Sequence, residues 1–121
     1  ARQHVGRYRC PWINTQIIAE AESNDLSRLI NAIQTYLPHM NLVNISTAMH
    51  RLARLVSNSR SALKVMKDNA ALSDLCGAAH VALKRATDSY STPPCQALSN
   101  VAWSLGTLRI VDAGLWETTA E

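Results

Sequence analysis

Apolar positions recur with helical spacing along most of the chain. In 97–108, Leu98, Val101, Ala102, Leu105 and Leu108 stand at i, i+3, i+4, i+7 and i+10, the period of one buried helix face. Ile45, Ala48, Met49, Leu52 and Leu55 show the same spacing, with Leu98 answering to Ile45 53 residues later. In that alignment Ser46 meets Ser99, His50 meets Trp103, Ala53 meets Gly106 and Leu55 meets Leu108. One helical motif therefore occurs twice. Upstream of the second copy, Thr92 suits an N-cap and Pro93 the first helical position, where a missing N–H is harmless.

The remaining elements follow from the same pattern. Gly6 and Pro11 discourage helix, and residues 1–11 have no apolar period, so they read as an extended basic arm. A first helix runs from Trp12 to about residue 22, with Ile13, Ile17 and Ala21 on one side; Ser23 or Asn24 then caps the next. A second runs over about 25–37 on Leu26, Leu29, Ile30, Ile33 and Leu37, with Asp25 at the positive end of the dipole and Pro38 as the stop. The short gap between them predicts an antiparallel hairpin.

Asn41 is the candidate N-cap of the first motif helix, 41–57. A short helical piece follows over 60–67, with Leu63 and Met66 inward. Asn69 caps a helix over 70–87 whose stripe is Leu72, Leu75, Cys76, Ala79, Leu83 and Ala86. Gly77, Ala78, Ala79 and Ala82 would let a neighbouring helix come close. The second motif helix spans 92–109, and Gly114 precedes a last turn carrying Leu115 and Trp116. The fold class is all-α, with about five helices in antiparallel pairs forming a short α-solenoid-like repeat. The domain plan is an arm at 1–11, one helical domain at 12–116 and a tail at 117–121.

Composition sharpens this picture. A chain of 121 residues suffices for one domain with a real core. Hydrophobic residues make up 47% and charged ones only 17%, which leaves two readings open, a surface partly covered by partners or a modestly charged monomer. The net charge of +3 is compatible with RNA but far from a dense basic stripe. Cys10, Cys76 and Cys95 are odd in number and widely spaced, against a disulfide framework or zinc site. No apolar run approaches the length needed to span a membrane. Arg2, His4, Arg7 and Arg9 precede the first acidic residue, Glu20. Such a start reads either as the remnant of an organelle-import region or as an ordinary basic arm.

The two motif helices, Asn44-Ile45-Ser46-Thr47-Ala48-Met49-His50-Arg51-Leu52-Ala53-Arg54-Leu55 and Leu98-Ser99-Asn100-Val101-Ala102-Trp103-Ser104-Leu105-Gly106-Thr107-Leu108, resemble the signature helices of an organellar family. It comprises octotricopeptide-type repeats and the related arrays that precede RAP domains in FAST-kinase-like proteins. The resemblance covers roughly residues 41–110. It implies an α-solenoid in a plastid or mitochondrion, with a role in RNA maturation, translation or ribosome assembly. The chain departs from the family in three ways: its 53-residue offset exceeds the family's repeat unit, it carries two signature helices only, and it holds no RAP domain. Its register to the family's RNA-contacting positions is not fixed, so none is carried over.

Catalytic motifs are missing: there is no Gly-rich phosphate loop, HExxH or GxSxG. His39, His50 and His80 are widely spaced, and Asp74, six residues before His80, is not on its helical face. The expectation is a non-enzyme with no cofactor and no metal. Asn44-Ile45-Ser46 matches a glycosylation sequon but falls inside a predicted helix. Candidate contacts to protein or RNA are Arg2, Arg7, Arg9, His50, Arg51, Arg54, Arg60, Lys64 and Lys67; the alternative for such residues is a solvated face. Trp12, Trp103 and Trp116 are candidate interface aromatics. Trp103 reads first as core, as tryptophans at helical spacing usually are, and second as an interface anchor.

The expected function is a non-catalytic accessory or scaffold subunit docking on protein subunits of a large organellar assembly, a photosynthetic complex or a ribosome. The alternative is an organellar RNA-binding protein in RNA processing or translation. Two signature helices offer little surface for reading several bases, which ranks docking first.

Overall fold

A computed structural model describes residues 9–57, 59–67, 69–89 and 95–108, with the backbone alone at 60, 63, 65, 67 and 87–89. Among these residues all regular structure is helical: α1 (Cys10–Glu22), α2 (Leu26–Tyr36), a 3-10 turn (Leu37–His39), α3 (Leu42–Val56), α4 (Arg60–Lys67), α5 (Ala70–Ser89) and α6 (Cys95–Leu108). The all-α expectation holds. Thr92, Pro93, Gly114, Leu115, Trp116, the 117–121 tail and the arm at 1–8 lie outside the described residues.

Helix α1 begins at Cys10, two residues before the expected start. Pro11 stands in its first turn, where an N–H would have no intrahelical acceptor, so proline starts the helix rather than blocking it. The Arg9 carbonyl accepts from the Ile13 N–H at 2.9 Å. The extended segment thus ends at Arg9, not Pro11. At the other end Asn24 adopts φ 59°, a left-handed conformation that asparagine tolerates better than most residues. The next helix is capped by Asp25, not by Ser23 or Asn24: its Oδ1 accepts from the Arg28 N–H at 3.2 Å. Ser23 supports the turn instead, its Oγ accepting from the Asp25 N–H at 3.2 Å.

α1 and α2 form the expected antiparallel hairpin. Near one end the Trp12 and Tyr36 rings meet edge-on with centroids 5.4 Å apart. Eight residues further along α1 and eight back along α2, Glu20 Oε1 lies 3.0 Å from Arg28 Nε. Two such contacts at a constant register define antiparallel helices. Pro38 ends α2 as predicted, and the chain tightens into the 3-10 turn.

α3 opens with a reciprocal cap. Asn41 Oδ1 accepts from the Asn44 N–H at 2.9 Å, and Asn44 Oδ1 accepts from the Asn41 N–H at 3.2 Å. Asn44 is buried, and its Nδ2 donates to the Cys10 carbonyl at 2.8 Å. This bond ties the start of α3 to the start of α1 and satisfies a polar group that would be costly unpaired. Ser59 Oγ accepts from the Ala62 N–H at 3.1 Å, capping α4, and Asn69 Oδ1 accepts from the Ala71 N–H at 2.8 Å at the start of α5.

α3 is the central helix, touching α1, α2, α4, α5 and, most extensively, α6. The predicted stripes form one continuous core: Ile13 and Ile17 from α1, Leu29 and Ile33 from α2, Ile45, Met49 and Leu52 from α3, Met66 from α4, Leu75 and Leu83 from α5, and Val101 and Leu105 from α6. Cys76 is buried in it, and all three cysteines are thiols. Three details differ from the spacing argument. Leu55, Leu98 and Ala102 are only half-buried, while Ala97 and Ser104 join the buried face of α6. Ser104 can do so because its hydroxyl donates to the Asn100 carbonyl at 2.6 Å. Among the described residues Gly77 admits no neighbouring helix: a Cβ built there would meet nothing within 4 Å.

Candidate functional site

The two motif helices pack against each other, and one pair of residues equivalent by sequence becomes a pair of contact partners. The His50 imidazole of α3 and the Trp103 indole of α6 lie 4.8 Å apart between centroids, tilted by 44°. Trp103 is 46% exposed, so its expected place in the core is wrong. The cause is geometric. Ala97, Val101, Ser104, Leu105 and Leu108 fill the face of α6 against α3, and Trp103 stands at the rim of that face. There it covers His50 on one side and solvent reaches the rest.

The surrounding face of α3 is basic. Arg54 lies one turn after His50 and is exposed; Arg51 is half-exposed. Neither makes an ion pair with a carboxylate among the described residues. Burial first, then the positive fields of Arg54 and Arg51, hold the His50 imidazole below its ordinary value of 6.5. His50 is therefore a mostly neutral ring between an indole and two guanidinium groups near neutral pH. One turn before Thr47 on the same side of α3, Val43 is 56% exposed. The edge thus has a basic rim from α3 and an aromatic rim from α6. Physically it can offer π surface, two charge-assisted donors of fork geometry, and apolar area, a set suited to binding.

The other expected contact residues are scattered. Trp12 is exposed, but at the α1–α2 end, against Tyr36. Arg9 is exposed just before α1, and Lys64 is exposed on α4. Arg60 and Lys67 belong to α4, but their side chains lie outside the described residues, as do Arg2, Arg7 and Trp116 altogether. The structure therefore gathers His50, Arg51, Arg54 and Trp103 into one place and leaves Arg9, Trp12 and Lys64 on other elements. Asn44 of the sequon is buried and bonded in the core, so its side chain is not a surface group.

Sequence reasoning overlooked the His50–Trp103 pair as a unit. The sequence makes the two residues equivalent positions of the motif copies, and the packing of α3 on α6 turns that equivalence into a contact. The described residues hold no group of three or more His, Cys, Asp or Glu side chains able to hold a metal ion. No helix among them is long and apolar enough to cross a membrane. The chain matches no family model, no curated protein and no solved structure.

Proposed function

We propose that this chain is a non-catalytic helical-repeat subunit that docks on a large organellar assembly, a photosynthetic complex or a ribosome, through the α3–α6 edge. The observation that carries the reading is Trp103, a large exposed aromatic beside His50 and two arginines without carboxylate partners among the described residues. Tryptophan and arginine are the residues most enriched at the energetic centres of interfaces. A binding role rather than a catalytic one is supported by the surroundings of His50, which faces an indole and two guanidinium groups instead of a carboxylate that would orient it as a base. The organellar setting rests on the resemblance of the two motif helices alone.

A second reading, an organellar RNA-binding protein in RNA processing or translation, is favoured by the same pair of features. An exposed indole can stack on a base, and arginines can hold phosphates. Sedimentation of tagged protein from organelle lysate, with and without RNase, separates the two. Comigration with a large particle that survives RNase, or that is lost with RNase while the isolated chain has no affinity for free RNA, supports docking on a photosynthetic complex or a ribosome respectively. Release by RNase, with affinity for isolated RNA falling steeply in salt, puts the RNA reading first. Migration as a free small protein in both samples overturns both.

A further inference from the structure

The two rims of the α3–α6 edge differ in charge, and this difference specifies a partner. α6 has no charged residue over Cys95–Leu108, and its outward positions include Ser99, Trp103 and Gly106. Gly106 lies nearly one turn beyond Trp103, and a Cβ built there would meet nothing within 4 Å among the described residues. Among the described residues, the positive charge of the edge comes from α3, at Arg51 and Arg54. A surface that tracks a nucleic-acid backbone needs positive charge along the groove, with aromatics for successive bases. Here one rim is basic and the other neutral and apolar, with a single exposed tryptophan. An amphipathic helix matches this asymmetry, since it carries its charged and apolar stripes side by side.

Resting on the docking reading above, we propose that the α3–α6 edge receives an acidic amphipathic helix of a protein partner. Carboxylates along one stripe pair with Arg51 and Arg54, whose guanidinium forks suit bidentate contact. An apolar side chain on the neighbouring stripe packs on the open part of the Trp103 ring. The missing side chain at Gly106 lets the partner backbone come close to α6. His50 backs the indole and fixes its orientation. Charge complementarity selects the partner, and the neutral rim distinguishes it from a polyanion.

The test uses the full chain and three labelled probes in anisotropy titrations: a helical peptide with a glutamate stripe beside a leucine stripe, the same peptide with lysine for each glutamate, and single-stranded oligouridylate. The glutamate peptide should bind best. Joint R51E and R54E substitution should weaken it about tenfold or more and transfer preference to the lysine peptide. W103A should weaken both peptides in their matched backgrounds, and G106L should do so by filling the approach. All substituted positions are at least partly exposed, and circular dichroism of each variant checks that the helices persist. The proposal is overturned if oligouridylate binds tightest, if no peptide binds, or if charge reversal leaves peptide selectivity unchanged. Those outcomes are distinct from failure of the docking reading, which is the absence of any large particle in sedimentation.

Discussion

α3 and α6 carry the same apolar spacing, yet the fold uses them differently. α3 is covered on several sides, and its buried set includes Asn44 and Ser46 beside Ile45, Ala48, Met49, Leu52, Ala53 and Val56. α6 buries Ala97, Val101, Ser104, Leu105 and Leu108, and among the described residues packs chiefly on α3. A shared motif thus specifies which face turns inward, whereas the number of neighbours decides how wide that face becomes. Polar residues diverge accordingly. Asn44 on α3 is buried as a tie to α1, while the aligned position on α6 is Ala97. His50 is half-buried beneath Trp103, its aligned partner, which is exposed.

The largest expected effect tests that asymmetry. Leu52→Ala and Leu105→Ala each remove a fully buried side chain and should cost roughly 2–5 kcal/mol. Leu52, on the helix that packs against more of the described elements, should lie nearer the upper end, because a cavity there has fewer ways to collapse. Urea unfolding of both variants measures the difference; equal losses would break the comparison.

Next in size is Asn44→Ala. It removes half of the reciprocal cap and the bond to the Cys10 carbonyl, at an expected cost of about 1–3 kcal/mol. Ala97→Asn at the aligned position should give no matching gain, since no corresponding tie to another helix exists among the described residues. Thermal denaturation of both variants reads this out.

A smaller gain is expected at the two exposed helical glycines. Gly77→Ala and Gly106→Ala place a methyl group in open space and should each stabilise by about 0.5–1 kcal/mol, since glycine loses more backbone freedom in a helix than alanine. Loss of stability at either position would show that something approaches the glycine more closely than the structure indicates.

The smallest effect is electrostatic. Because the folded state holds the His50 imidazole below 6.5 while the unfolded chain does not, the unfolded chain takes up its proton first as pH falls. The stabilising contribution is complete above 6.5 and is lost as pH drops from there through the folded-state value. His50→Gln should flatten this part of the stability–pH curve. Trp103→Ala removes cover from the ring, so the His50 titration followed by NMR should move up toward 6.5. A titration unchanged in that variant would mean that the indole contributes nothing to the burial.

The sequence by itself determined the helices and the inward faces. The stripes at Ile13 and Ile17, Leu29 and Ile33, Ile45 and Met49, Leu75 and Leu83, and Val101 and Leu105 were legible because helical period and side-chain apolarity are local properties. So were the caps at Asn41 and Asn69, whose side chains bond amides two or three residues away. Tertiary structure alone decided which helix covers which second face. Pro11 and Asp25 show the limit even locally: Pro11 opens the helix that it was expected to precede, and Asp25 takes a cap for which Ser23 and Asn24 also qualified. Trp103 and Asn44 show it over distance. An aromatic residue went to the rim and an amide to the interior, because burial depends on the helix lying opposite, and that helix comes from a remote part of the chain. The grouping of His50, Arg51, Arg54 and Trp103 belongs to the same class. It exists because α3 and α6 pack together, and no spacing within either helix contains that contact.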